Sequence, residues 1–199
     1  MQTDIPIQAS SDRFVAMGFG RVKTKGDDTD VISACARGDR RAQEELYLQH
    51  SLHVYGLMCR LVGRDNAEDL TQQVFLKLFR SIGKFNGWSS FSTWLYRLAT
   101  NEAFQFLRRE RRRTLAPMVR EPVDESRGDS AMLEEAEALE WALFRLDPDI
   151  RAVFILREVQ RLSYHEIALT LDIAEGTVAS RLNGARRSLL ELLKPVIDD

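Results

Sequence analysis

Residues 163–187 read Ser163-Tyr-His-Glu-Ile-Ala-Leu-Thr-Leu171, then Asp172-Ile-Ala-Glu-Gly176, then Thr177-Val-Ala-Ser-Arg-Leu-Asn-Gly-Ala-Arg-Arg187. Ser163 and Glu166 have the spacing of a capping box, so a helix is expected to begin there. After a short turn, a second helical spacing of apolar residues follows at Val178, Leu182, Ala185 and Leu189. This arrangement is typical of a helix-turn-helix that binds duplex DNA, although an ordinary helical hairpin has the same spacing.

The composition favours an all-α fold in one or two small domains. The chain has 199 residues, 44% of them apolar, and its helical periods are interrupted by only five prolines and eleven glycines. Two cysteines, Cys35 and Cys59, are too few for a disulfide framework and suit a reducing compartment. The sequence has no stretch typical of a membrane span or a signal peptide, so we expect a cytoplasmic protein without membrane insertion.

The chain divides into segments of opposite charge. We predict a flexible extension at residues 1–29, a helical domain at 30–113, a linker at 114–133 and a second helical domain at 134–199. The first domain carries 14 lysines and arginines against 9 acidic residues, and the second carries 8 against 13. The first domain is therefore the better electrostatic match for nucleic acid.

Capping residues predict where the helices begin. The candidate first residues or caps are Thr29 or Asp30, Asp39, Asp65 with Glu68, Ser90, the Asp147-Pro148 pair, and Ser163. Glycines at 38, 63 and 83 are expected to end three of the helices.

Three motifs resemble those of one protein family. Ala67-Glu-Asp-Leu-Thr-Gln-Gln-Val-Phe-Leu-Lys-Leu78 and Phe85-Asn-Gly-Trp-Ser-Ser-Phe-Ser-Thr-Trp-Leu-Tyr-Arg-Leu-Ala-Thr-Asn101 resemble region two of bacterial sigma factors. The segments Leu162–Ala168 and Gly176–Arg186 resemble the region-four helix-turn-helix. The size and order of these motifs are similar to an extracytoplasmic-function (group four) sigma factor. The resemblance implies a protein that binds core RNA polymerase, opens promoter DNA and directs transcription initiation in response to stress or an external signal.

The resemblance also implies a contact with polymerase in the helix that follows Gly63. In this family the helix docks on the clamp helices of the beta-prime subunit, and the beta subunit is a further partner. The corresponding residues here are Asp69, Leu70, Gln73 and Leu76. Family members more often have an acidic residue near Gln72 or Gln73. From spacing alone, an ordinary solvated helix face is the alternative.

The family reads the minus-ten promoter element as a single strand. The residues implied for this role are Lys84, Phe85, Asn86, Gly87, Trp88, Ser89, Trp94, Arg97 and Asn101. Trp94, Arg97 and Asn101 have the spacing of one helix face, although Trp94 is equally compatible with the core. Trp88 is unusual for the family, and we hypothesise that it stacks on an unpaired base. The phosphate contacts are assigned to Arg108, Arg109 and Arg112, with a solvated helix end as the alternative.

In region four, the second helix is implied to read the minus-thirty-five element in the major groove. The residues assigned to it are Thr177, Ser180, Arg181, Asn183, Arg186 and Arg187. Ala179 and Gly184 stand where the family usually has basic residues, so we predict weak binding to duplex DNA. Asp172 replaces a common glycine in the turn, and aspartate tolerates the left-handed conformation better than most residues.

Two other classes of function remain open on the sequence. His50, His53 and Cys59 could suggest a metal-dependent enzyme, but no further ligand cluster follows them. No P-loop, nucleophile elbow or Rossmann glycine pattern is present, so we expect no catalytic site and no cofactor. The second alternative is a helical interaction protein or a simple repressor, which would bind duplex DNA alone. An anti-sigma partner is compatible with the resemblance but is not indicated by the sequence itself.

Overall fold

A computed structural model describes residues 28–113 and 131–197, which form eight α-helices, one 3-10 turn and no strand. The predicted all-α fold is confirmed. In chain order the helices are α1 (Asp28–Ala36), α2 (Arg40–Val62), α3 (Arg64–Ser81), α4 (Phe91–Arg113), α5 (Ala131–Arg145), α6 (Pro148–Glu158), α7 (Tyr164–Leu171) and α8 (Glu175–Ile197), with the 3-10 turn at Ile82–Lys84. Most of the predicted N-terminal extension and linker lies outside the described residues.

Helices α1 to α4 form the N-terminal domain. Helix α2 packs along α3, and α4 packs against both of them. The largest fully buried side chains are those of Leu46, Leu57, Met58, Leu61, Leu78 and Leu95. Lys77 of α3 also forms an ion pair with Glu102 of α4, whose side chain is almost fully buried. This pair compensates a charge that would otherwise be costly to bury.

Helices α5 to α8 form the C-terminal domain. Helix α8 packs against α5, α6 and α7, around a core that includes Ile155, Leu156, Ile167 and Leu182. The chain turns between α7 and α8 at Asp172, which has the left-handed φ of 56° that we expected of it. The C-terminal domain is thus a helix-turn-helix supported by two preceding helices.

Several predicted caps are confirmed and two are wrong. Asp39, Asp147 and the Ser163–Glu166 capping box all accept hydrogen bonds from the first turns of their helices. Asp65 does not cap α3, because α3 begins at Arg64 directly after Gly63, whose φ of 90° is a conformation that favours glycine. Likewise α1 begins at Asp28, so Thr29 and Asp30 lie inside its first turn.

The two domains are in direct contact, which the sequence did not predict. Helix α4 packs against α7, and α2 packs against α5 and α6. The part of α4 that packs against α7 is therefore covered by the C-terminal domain. Of the helices in the two described ranges, none has both the length and the apolar character needed to cross a membrane.

Candidate nucleic-acid interface

The loop between the 3-10 turn and α4 presents an exposed tryptophan. Gly87 has a φ of 76°, a conformation that favours glycine. The Trp88 backbone N–H donates a hydrogen bond of 3.2 Å to Oδ1 of Asn86. Together they turn the chain so that Trp88 is 90% exposed. Lys84, Asn86 and Gly87 are also exposed, whereas Ser89 is partly buried.

Three aromatic rings form the base of this loop. Phe85 lies 5.5 Å from Trp94 and 5.7 Å from Phe91, measured between ring centroids. Phe91 is buried, whereas Phe85 and Trp94 are partly buried. Trp94 is therefore compatible with both a core position and a DNA contact, because part of its ring packs in the cluster and the rest is accessible. The cluster joins the loop to the first turn of α4.

Helix α4 has an open polar face that continues from this cluster. Arg97 and Asn101 follow Trp94 at helical spacing, and both are exposed. Further along the helix, Arg108, Arg109 and Arg112 are exposed as well. Arg113 forms an ion pair with Glu110 of the preceding turn. All but Phe85, Ser89 and Trp94 among the minus-ten and phosphate candidates are thus open to solvent.

The residues expected to bind polymerase do not share one environment. Asp69 and Gln73 are exposed on α3, and the Leu76 side chain beside them is 56% exposed. Leu70, in contrast, is only 2% exposed, because it lies on the stripe of α3 that also buries Ala67 and Val74. A direct polymerase contact by Leu70 is therefore corrected to a role in the core.

The six candidates on α8 divide into two groups. Ser180, Asn183 and Arg187 are exposed along one face, with Thr177 partly exposed above them. Arg181 instead forms an ion pair with Asp149 at 3.3 Å, and Arg186 forms one with Glu158 at 2.8 Å. Because Asp149 and Glu158 belong to α6, these two arginines hold the recognition helix on its own domain.

An exposed pair at the start of the helix-turn-helix was not anticipated. His165 of α7 and Glu175 of α8 approach to 2.9 Å between Nδ1 and Oε1, and both side chains are more than half exposed. The pair links the first turns of the two helices. The sequence signal was limited to an acidic residue in the first turn of α8, which is favourable near a helix N-terminus.

The histidines considered for metal binding have another role. His50 is 3% exposed and its ring centroid lies 5.2 Å from that of Phe91, so it belongs to the core. Burial, aided by nearby His53, lowers the pKa of His50 to about 4. Within residues 28–113 and 131–197, no three side chains of the metal-binding types are grouped around a possible ion.

Sequence comparisons agree with this arrangement of two domains. Residues 46–113 match the family described as Sigma-70 region 2, and residues 136–189 match Sigma-70, region 4. The RNA polymerase sigma-H factor of Pseudomonas aeruginosa is 34% identical over 189 residues, covering 87% of this chain and 97% of that protein. The ECF RNA polymerase sigma-E factor of Escherichia coli is 32% identical over 183 residues, covering 85% and 96%.

The chain belongs to the extracytoplasmic-function sigma factors. Such a protein is the promoter-recognising initiation factor of RNA polymerase, and its partners are the core enzyme and promoter DNA. Sigma factors are transcription specificity factors rather than known catalysts. The first Sigma-70 match contains the loop and α4, and the second contains the helix-turn-helix, so both candidate DNA surfaces lie within the family's own regions.

Solved structures also resemble this sigma factor. The sigma factor RpoE of Bartonella quintana, solved with the anti-sigma factor NepR, matches with a TM-score of 0.67 and 27% identity. That match covers 76% of this chain and 96% of the Bartonella chain. CnrH, solved with the cytosolic domain of CnrY, matches with a TM-score of 0.64 over 83% of this chain and 96% of its own. At 22% identity, the second match supports the shared fold alone.

Proposed function

We propose that this sigma factor reads the minus-ten element with loop 84–89 and the open face of α4, and the minus-thirty-five element with the exposed face of α8. The observation that carries the proposal is the continuity of the first surface. Trp88 stands free at the loop tip, Trp94 joins the loop to α4, and Arg97 begins the row of exposed polar side chains.

The chemistry of this surface suits an unpaired strand. A base removed from the duplex needs a ring to stack on and polar groups at its edge, which Trp88 and Asn86 can supply. The strand's phosphates need cations, which Lys84, Arg97 and the arginines at positions 108, 109 and 112 can supply. The phosphate contacts would position the strand without specifying its sequence.

The proposed minus-thirty-five surface on α8 has fewer candidate residues and fewer exposed cations than the minus-ten surface. Thr177, Ser180 and Asn183 can reach base edges in a major groove, and Arg187 can reach a phosphate. The other two candidates, Arg181 and Arg186, are engaged with α6 and act by orienting the recognition helix. A surface with one free arginine among the six candidates is expected to bind duplex DNA weakly until polymerase holds it in place.

The polymerase contact is assigned to α3. An exposed leucine between polar side chains suits a protein partner, and Leu76 is flanked by Asp69 and Gln73 on the solvent side of the helix. We assign this row to the clamp helices of the beta-prime subunit, and we expect the beta subunit to contact the C-terminal domain.

Three further properties accompany this assignment. We infer that the chain acts in the cytoplasm, where polymerase and chromosome are found, and that it supplies specificity without a catalytic site or cofactor of its own. The sigma factor RpoE of Bartonella quintana, at 27% identity, was solved with an anti-sigma factor. An anti-sigma factor that responds to stress or an external signal is accordingly proposed for this protein too.

Run-off transcription with reconstituted polymerase on genomic fragments tests the function. Discrete transcripts that require the added chain are expected, and their start sites identify the promoter. Leu76→Ala should weaken association with the core enzyme, whereas Leu52→Ala, at a leucine of α2 that is also more than half exposed, should not. The proposal fails if the core enzyme neither binds the chain nor gains start-site selection from it.

A further inference from the structure

The recognition helix begins with an acidic side chain that none of the DNA contacts assigned above uses. Glu175 is the first residue of α8, and its side chain is 56% exposed. In a helix-turn-helix, the N-terminal residues of the second helix contact base edges in the major groove. The helix dipole favours an acid here, but the phosphates of bound DNA oppose it. A DNA group that donates to the carboxylate would offset this repulsion.

Glu175 lies in one row with residues already assigned to the major groove. Ala179 and Asn183 follow it at intervals of four, and residues four apart share a helix face. Asn183 is exposed, and exposed Ser180 precedes it by three positions on an adjoining row. Glu175 thus extends the proposed minus-thirty-five surface to the start of α8.

Local hydrogen bonds hold the backbone on both sides of this corner. The capping box described above holds the first turn of α7, which contains His165. At the start of α8, the Thr177 N–H donates to the carbonyl of Ala174 at 2.9 Å. The backbone therefore sets the separation between His165 and Glu175, and the two side chains meet across a defined gap.

His165 orients the carboxylate. Its Nδ1 lies 2.9 Å from Oε1 of Glu175, and because a carboxylate only accepts hydrogen bonds, Nδ1 is the donor. Within residues 28–113 and 131–197, this carboxylate makes no other hydrogen bond or ion pair. The two oxygens of a carboxylate offer about four acceptor positions, so Oε2 can accept from a donor on DNA.

The pair contributes little to the fold. The two side chains are 69% and 56% exposed, and exposed pairs of this kind stabilise a protein only slightly. Both side chains are also open to a ligand that approaches the helix-turn-helix from solvent. A role in binding therefore explains the arrangement better than a role in stability.

The pattern of donors and acceptors in the major groove favours cytosine as the base that meets a carboxylate. Cytosine presents its N4 amino group as a donor, whereas guanine presents the acceptors N7 and O6 and thymine presents the acceptor O4. Adenine presents the N6 donor directly beside the acceptor N7, which repels a carboxylate. The cytosine edge alone offers a donor without an acceptor of its own.

We propose that Glu175 is a specificity-determining residue that accepts a hydrogen bond from the N4 amino group of a cytosine in the minus-thirty-five element. His165 is the positioning residue for its carboxylate. The inference rests on the proposed function, because it assumes that α8 enters the major groove of that element. It goes further by assigning one base to a residue outside the six candidates on α8.

The same carboxylate acts against the other bases. Discrimination comes from repulsion of wrong partners as well as from attraction of the right one. A single base contact of this kind gives about fivefold to 150-fold preference over the wrong base. Glu175 would thus make the binding by α8 more selective without making it tight.

The test uses the full chain with core polymerase and promoter fragments that are randomised across the minus-thirty-five element. Sequencing of the run-off transcripts gives the base preference at each position of the element. The wild type should prefer cytosine on one strand at one position by about fivefold to 150-fold.

Two substitutions of Glu175 should have different effects at that position. Glu175→Gln keeps the size of the side chain, and an amide can accept from adenine N6 while donating to N7. The preference should therefore move from cytosine to adenine. Glu175→Ala should remove the preference. Glu191→Gln is the matched control and should retain the wild-type profile, because exposed Glu191 lies about 24 Å further along α8 at about 1.5 Å per residue.

Substitutions of His165 test its positioning role. His165→Ala should reduce the cytosine preference by about threefold to tenfold, the effect of one lost hydrogen bond. His165→Gln keeps a donor and should retain most of the preference. A purely structural role would instead lower the thermal unfolding temperature of His165→Ala and leave its base preference as in the wild type.

The outcomes separate this inference from the proposed function. If the wild type gives no transcripts, the proposed function fails and the inference fails with it. Transcripts that show no cytosine preference, or a preference that Glu175→Gln leaves in place, would overturn the inference alone. An equal gain in transcription from all fragments with Glu175→Ala would also overturn it, because the carboxylate would then only repel phosphates.

Discussion

Nη2 of Arg186 donates a hydrogen bond of 2.8 Å to Oε1 of Glu158, and this ion pair joins the recognition helix α8 to α6. The next residue, Arg187, is exposed. The two adjacent arginines look equivalent in the sequence, but their environments in the structure differ. One is engaged with protein, and the other remains available to a phosphate.

This difference predicts opposite consequences of the same substitution. Arg186→Met should lower the free energy of unfolding by about 1 kcal/mol, because it removes a charge-assisted hydrogen bond from a mostly buried carboxylate. Arg187→Met should leave stability within about 0.5 kcal/mol. It should instead reduce the salt dependence of duplex binding by about one unit of slope. Urea denaturation and salt titration measure the two effects, and an exchange of the two phenotypes would contradict the assignment.

Trp88 is expected to act on DNA and not on stability. Trp88→Ala should weaken binding of a single-stranded minus-ten oligonucleotide by about 1–3 kcal/mol, the range found for loss of one stacked base. Its thermal unfolding should be unchanged because the side chain is 90% exposed. Trp88→Phe keeps a ring and should retain part of the affinity. Unchanged open-complex formation and promoter preference in the alanine variant would rule out the stacking role.

Gly184 offers a way to strengthen the minus-thirty-five contact. A Cβ at this helical position would meet no atom within 4 Å other than those of its chain neighbours and its own helix backbone, so there is room for a side chain. Gly184→Arg and Gly184→Gln should both stabilise the helix by up to about 1 kcal/mol. The arginine variant alone should also add about one unit to the salt slope of duplex binding. Equal duplex affinity for the two variants would show that this position does not approach a phosphate.

Acid sensitivity of the N-terminal domain should follow from His50. Its pKa is about 4 in the folded chain and 6.5 in its unperturbed form, so between these values the unfolded state binds more protons. The free energy of unfolding should accordingly fall by up to about 3 kcal/mol as the pH drops from 6.5 to 4. His50→Gln should flatten this slope, whatever its effect on stability at neutral pH.

A neutral and exposed residue provides the control for that measurement. Leu52→Ala should preserve the slope between pH 6.5 and 4, since the side chain is 68% exposed and carries no titratable group. Denaturant titrations at several pH values give the slopes directly. Identical slopes in the wild type and in His50→Gln would mean that His50 is not the group responsible.

Local features of the fold could be predicted because short segments determine them. The Ser163–Glu166 capping box and the left-handed Asp172 each depend on a few neighbouring residues. The start of α3 could not be predicted, because the turn at Gly63 is shorter than the usual connection between helices. Leu70 was assigned to the polymerase contact because of the family resemblance, although it lies on the buried stripe of α3 with Ala67 and Val74.

Partners that are distant in sequence could not be predicted. Arg186 and Glu158 are 28 residues apart, and the hydrogen-bonded Tyr96 and Gln160 are 64 apart, so helical periodicity does not relate them. One feature of the sequence does indicate that α4 has a second packing partner. Tyr96, Thr100, Ala103 and Leu107 recur at helical spacing on α4, next to a stripe that contains Phe91, Leu95 and Leu98. A helix with two such stripes needs packing partners on two sides.

Loop 84–89 differs from the rest of the minus-ten surface in how freely it can evolve. Helix α4 packs in the core on one face, contacts the neighbouring domain on a second and is proposed to bind DNA with a third. Most substitutions on α4 would therefore affect folding as well as DNA recognition. Lys84, Asn86 and Trp88 are exposed at their own positions. Mutational drift in a duplicated copy of this protein could therefore redirect it to a new set of promoters through these loop positions, with the scaffold inherited intact.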